Sequence, residues 1–155
     1  MKHVIAKASR AGKFVDTKHV ETLKANYKEE RWVENSRRIG KQDSLSVWYS
    51  IEELEEFIST ARSEAGDGVR MYFGTYGEEN APQPLYAGRQ TIVMVATKMK
   101  EKDGLQVHRD LFIQNGKESN ILAYNLGRLC PPFCRDGIDI FQDMKMRVAK
   151  RPLAI

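Results

Sequence analysis

Apolar and polar residues recur along this chain with two periods, and the period assigns the elements. Over 17–36 the spacing is helical: Val20, Leu23 and Tyr27 make one apolar stripe on an otherwise charged segment. Asp16 suits the N-cap, and Val15 and Val20 stand at the positions of a hydrophobic staple. Gly40 closes this region.

At 45–49, Leu45-Ser46-Val47-Trp48-Tyr49 reads as a strand, β-branched and aromatic between polar flanks. Ser50 with Glu53 three residues on is a capping box. The helix behind it sets Ile51, Leu54, Phe57, Ile58, Ala61 and Ala65 on one face, while Glu52, Glu53, Glu55 and Glu56 complement the positive end of its dipole. Gly66 supplies the stop. A second strand follows at 69–74, with Val69, Met71 and Phe73 expected against the helices and Arg70 and Tyr72 on the other face. A strand–helix–strand connection of this length predicts parallel strands and a right-handed crossover.

Pro82 and Pro84 make 76–88 a loop, and Gly74 and Gly88 bracket it. The run 90–97 is apolar on both faces and predicts a central strand. Lys102-Asp103-Gly104 is a turn, and 105–107 continues as a fourth strand paired with the third, extending toward Ile113. Beyond Gly116, Ser119 is expected to cap a short helix through Leu126. Ile140, Phe141, Met144 and Val148 have the spacing of a last helix, which Pro152 would stop.

No internal repeat or low-complexity tract divides the chain. The expectation is therefore one α+β domain over 1–155, made of a basic N-terminal helix at 16–36, a βαβ core at 45–97 and a C-terminal strand and helix region at 105–150. Its sheet is expected to be mixed, with four or five strands and helices mostly on one face. An exposed sheet face or edge would favour a homodimer.

Composition narrows the class. The 155 residues are 41% hydrophobic, 30% charged and 9% aromatic, enough apolar material for one core and unlike a disordered chain. No apolar run approaches the roughly 18–20 residues of a membrane span, and Met1-Lys2-His3-Val4-Ile5-Ala6-Lys7 lacks a signal peptide's apolar centre. A soluble cytoplasmic protein with no membrane association is expected. The net charge of +4 is uneven: +6 over 1–41, −6 over 42–97 and +4 over 98–155. Basic ends are a candidate surface for nucleic acid or another polyanion, although neutralisation within the fold or across an oligomer is the simpler reading.

Cys130 and Cys134 flank Pro131-Pro132-Phe133. The two prolines disfavour a helical turn carrying two ligands, and a zinc site would need two more, so no metal and no cofactor is expected. Two structural thiols are the preferred reading, with a labile disulfide as the alternative. His108-Arg109-Asp110-Leu111-Phe112-Ile113-Gln114-Asn115 matches the kinase catalytic-loop string. Its context fails: no Gly-rich loop precedes it, no Asp-Phe-Gly follows, and the chain is far too short.

The candidate ligand-binding residues are Trp48, Arg70, Tyr72, Tyr76, Arg89 and His108. Guanidinium with phenol hydroxyls suits a carboxylate or phosphate, because the first offers paired donors and the second a further one. Arg stacked on Tyr, or an ion pair with Glu78 or Glu79, would explain the same residues structurally.

Gly66-Asp67-Gly68-Val69-Arg70-Met71-Tyr72-Phe73-Gly74, then Ala87-Gly88-Arg89-Gln90-Thr91-Ile92-Val93-Met94-Val95-Ala96-Thr97, resembles a family of small bacterial proteins of unknown function. Leu129-Cys130-Pro131-Pro132-Phe133-Cys134 fits the same resemblance, which spans roughly 45–134 and implies a bacterial setting but no activity. The leading functional expectation is a non-enzymatic binding or interaction module. The alternatives are a small enzyme on an anionic metabolite, held by Arg70 and Arg89 with Tyr72 or His108 moving a proton, and a polyanion-binding protein.

Overall fold

The computed structural model describes residues 10–134. The fold is α+β: α1 (Thr17–Tyr27), a π-helical turn (Lys28–Trp32), α2 (Val33–Ile39), β1 (Ser46–Trp48), α3 (Ile51–Ser63), β2 (Gly68–Thr75), a 3-10 turn (Pro84–Tyr86), β3 (Gln90–Lys102), β4 (Leu105–Asp110), β5 (Phe112–Asn115), β6 (Glu118–Ile121), β7 (Ala123–Tyr124) and β8 (Arg128–Cys130). The helix expected over 140–148 lies outside the described residues. Among the described residues, contacts gather in two compact units, one built from Tyr49–Tyr72 and Ile92–Asn125, the other from Phe14–Trp48, Phe73–Thr91 and 126–134.

In the first unit α3 starts as its capping box dictates. The Ser50 hydroxyl accepts from the Glu53 N–H at 3.1 Å, and the Ser50 N–H donates to the Glu53 carboxylate at 2.8 Å. The Tyr124 hydroxyl donates to the same carboxylate at 2.9 Å. These donors, Ser50 first and Tyr124 after it, hold Glu53 below its ordinary pKa, and the shared bond pushes the Tyr124 phenol up. Of the apolar face expected on α3, Phe57 and Ala61 are buried with Met94 and Ala96 of β3, and Tyr49, Leu54, Leu111, Leu122 and Tyr124 pack around them. Ile51 and Ile58 instead face outward. The helix ends on a left-handed Ala65 (φ 62°), and Gly66 is required for a different reason. A Cβ there would stand 2.8 Å from the Ala61 carbonyl oxygen that the Gly66 N–H bonds.

Strand order β2-β3-β4 makes β3 central, as its two apolar faces require, with β7 pairing β3 off that path. The parallel βαβ unit does not form. β1 runs antiparallel to β8 in a separate two-stranded sheet, so α3 connects two sheets rather than two neighbouring strands. The strand, helix and strand of this unit stand as the local pattern predicts them, but the partner of Trp48 in β1 is Arg128, eighty residues on, where no local rule reaches. The helix expected from Ser119 through Leu126 is instead two strands, β6 antiparallel to β5 and β7 antiparallel to β3, and strand alternation sets Leu122 and Tyr124 together against the α3–β3 core. Val69 and Met71 of β2 are also exposed, because α3 packs over β3 and leaves this edge strand uncovered.

In the second unit Asp16 caps α1 by accepting the His19 N–H at 2.9 Å. The helical run continues past Ser36 to Ile39 through the π-helical turn. Of the stripe expected to be buried, Val20 and Leu23 are exposed and Tyr27 is half-buried, its hydroxyl donating to the Gln90 side chain at 2.7 Å; the helical residues that the unit buries are Trp32 and Ser36. The Trp32 indole donates to the Asp43 carbonyl at 2.8 Å, and the Ser36 hydroxyl accepts the Asp43 N–H at 2.9 Å. The Asp43 carboxylate takes the N–H groups of Ser44 and Gln90 at 2.8 and 2.7 Å. Tyr76, Tyr86 and Leu129 form the buried apolar cluster. Cys130 and Cys134 are joined by a disulfide, correcting the thiol reading. The Phe133 N–H bonds the Leu129 carbonyl at 2.8 Å, a turn that brings the two cysteines together.

Candidate functional site

Arg70, Tyr72 and His108 come together in the first unit, on the sheet face that carries Asp110. From β2 the Arg70 guanidinium reaches the Asp110 carboxylate at 3.1 Å and the His108 backbone carbonyl at 2.8 Å. The Tyr72 hydroxyl donates to the other Asp110 oxygen at 2.7 Å and accepts a longer contact from Arg70 at 3.4 Å. The guanidinium also lies 5.9 Å from the Tyr72 ring centroid. Tyr72, through its hydroxyl, and then the charge of Asp110 hold the Arg70 guanidinium above its ordinary pKa. His108 contributes its carbonyl to this cluster, and its ring shares the face by strand alternation.

The other three candidates belong to the second unit. Arg89 is 1% exposed, its Nε donating to the Gln42 carbonyl at 2.8 Å and a terminal nitrogen to the Leu85 carbonyl. Burial pushes its pKa down, against the charges of Asp43 and Tyr86. Tyr76 is buried and stacks on Tyr86 at 5.9 Å. Trp48 is exposed, with the Arg128 guanidinium 4.9 Å from its centroid. Arg89 and Tyr76 thus hold their own unit together instead of facing an open hollow.

Asp110 was not among the candidate residues, although the fourth strand was expected to extend past it toward Ile113; nothing local shows that its carboxylate meets Arg70 and Tyr72. A further group was missed too. β3 and β4 pair antiparallel with Lys98 opposite Arg109, Lys100 opposite Val107 and Lys102 opposite Leu105. Residues directly opposed in an antiparallel ladder share a face, as do alternate residues of one strand. Lys98, Lys100, Lys102 and Arg109 therefore stand on one face of this hairpin, interleaved with Leu105 and Val107, and all six are exposed. Glu101, His108 and Asp110 take the opposite face. None of the four cations enters an ion pair among the described residues. The period-2 lysines in Lys98-Met99-Lys100-Glu101-Lys102 were the readable signal, once the strand was known to run past Thr97.

Asp103 (φ 53°) and Gly104 (φ 74°) are both left-handed, the requirement of a two-residue type I′ hairpin turn. The ribbon is accordingly narrow at its tip. Among the described residues no cluster of three or more His, Cys, Asp or Glu side chains is placed to hold a metal ion, and no helix is long and apolar enough to cross a membrane. No family model, no curated protein and no solved structure matches the chain.

Proposed function

We propose that this chain is a non-enzymatic binding module for anionic partners, and that the β3–β4 hairpin is its binding element. The observation that carries the reading is the face holding Lys98, Lys100, Lys102 and Arg109 with no acid among its β3–β4 ladder positions; the Asp67 carboxylate, outside the hairpin, is taken up by the Met99 N–H at 3.2 Å. Cations so arranged sum to a local positive potential that attracts polyanions. Retention on immobilised heparin tests it. The protein should bind, and Lys100→Gln/Lys102→Gln should elute at lower salt; equal elution of the two would defeat the reading.

A second reading, a small enzyme on an anionic metabolite, draws on Arg70, Tyr72 and His108 sharing one face. Against it, Asp110 already neutralises the guanidinium that would anchor the substrate. Turnover of any metabolite in a broad panel, lost in Arg70→Ala, would favour this second reading over the first.

Self-association belongs to the same proposal. β2 is an edge strand with Val69 and Met71 exposed, and its one charged side chain, Arg70, is turned to Asp110. Edges lacking blunting charges tend to pair. Sedimentation should show a dimer that Met71→Lys weakens, and a monomer at every concentration would remove this part.

A further inference from the structure

The geometry points to double-stranded nucleic acid, held through its phosphates, as the polyanion that the β3–β4 hairpin takes; this rests on the binding-module reading above. Three features select it. Alternate residues of a strand are about 6.8 Å apart, so Lys98, Lys100 and Lys102 form a column about 14 Å long, with Arg109 beside its inner end. A two-stranded ribbon closed by a two-residue turn is slim enough to lie in or along a major groove about 12 Å wide. The residues between the cations, Leu105 and Val107, have no side-chain donors or acceptors for base edges. The face therefore positions itself on phosphates and does not read sequence.

The same features disfavour the neighbouring possibilities. Single strands are held by stacking on aromatic rings, and this face has none. An anionic membrane is a flat surface that offers the ribbon no groove to lie in.

Four phosphate contacts predict a definite salt dependence. Each contributes a slope of about −0.9 in log K against log salt, giving about −3.6, or about 150-fold weaker binding between 50 and 200 mM salt. The full-length chain is titrated into a labelled 20-base-pair duplex of mixed sequence, followed by anisotropy across that range, with the matching single strand and phosphatidylserine vesicles as parallel arms. Lys100→Gln/Lys102→Gln, both exposed and checked by circular dichroism, should flatten the slope to about −1.8 and reduce the salt effect to about 12-fold. Duplex binding with both slopes supports the inference. It is overturned by no duplex binding at 50 mM salt, by tighter binding of the single strand, by vesicle binding without duplex binding, or by a slope the double variant leaves unchanged. Heparin retention that remains sensitive to the two lysines while duplex is ignored would overturn the duplex assignment and leave the anion-binding module standing.

Discussion

Lys98 and Arg109 are directly opposed across the β3–β4 ladder, two like charges at a position where cross-strand pairs normally attract. Such a juxtaposition costs stability relative to a neutral pair. A free hairpin gains nothing from it, whereas a bound polyanion would relieve it. Lys98→Glu should therefore raise the melting temperature while weakening retention on heparin. A variant that loses stability and keeps its affinity would contradict both halves of this account.

Arg89 shows the opposite use of a guanidinium. It is buried, and its donors serve the carbonyls of Gln42 and Leu85, tying the segment after α2 to the loop before β3. Arg89→Met keeps the apolar stem but orphans the buried Gln42 carbonyl, worth about 1–3 kcal/mol when left unpaired, while the Leu85 carbonyl belongs to an exposed residue and can turn to water. Urea unfolding should show a loss of about 1–3 kcal/mol, with heparin retention unchanged for the folded fraction. A variant as stable as the wild type would mean that the buried fork holds nothing together.

What the sequence disclosed depended on the range of the interaction. The Ser50–Glu53 box, the Asp16 cap and the Asp103-Gly104 turn are decided within four residues, and each stands as read. Strand partners are not local. β1 finds β8, and Arg70 finds Asp110 forty residues away, so neither the separate sheet nor the neutralising carboxylate was legible. Burial failed along α1 for a related reason. Val20 and Leu23 have the right spacing, yet a stripe is buried only if a partner surface meets it. Arg89 looked like a ligand anchor because nothing local distinguishes an arginine that binds a substrate from one that binds two carbonyls.

Glu53 sets an acid limit on the first unit. Its ordinary pKa of 4.5 is lowered by the Ser50 N–H, the Ser50 hydroxyl side and the Tyr124 hydroxyl, in that order. Between the folded and unfolded values the unfolded chain binds more protons, so stability rises with pH in that window. The contribution is whole above pH 4.5 and is lost as pH falls through the lowered folded value. Gln at this position still serves a capping box, so Glu53→Gln should start the helix normally while flattening the dependence of stability on pH below 4.5. Tyr124→Phe should narrow the same window from its acid end. Chemical denaturation at a series of pH values measures both, and identical profiles in wild type and Glu53→Gln would remove Glu53 as the cause.

The Cys130–Cys134 bridge joins β8 to the turn after it, and that turn carries Phe133 onto Tyr86, whose ring centroids lie 5.9 Å apart. The Tyr86 hydroxyl in turn accepts the Leu129 N–H at 3.1 Å, so cystine, aromatic contact and β8 backbone form one connected patch. Closing so short a loop stabilises by about 2 kcal/mol on chain entropy alone, since the loop-length dependence is shallow. Protein unfolded without reductant should expose no free thiol at these positions, and after reduction both should react. Reduction and Cys134→Ser should each lower stability by about 2 kcal/mol and change the near-ultraviolet tyrosine signal as Phe133 loosens from Tyr86. Two titratable thiols in the unreduced, unfolded protein would break this link at its first step, because the turn would then be held only by the bond between the Phe133 N–H and the Leu129 carbonyl.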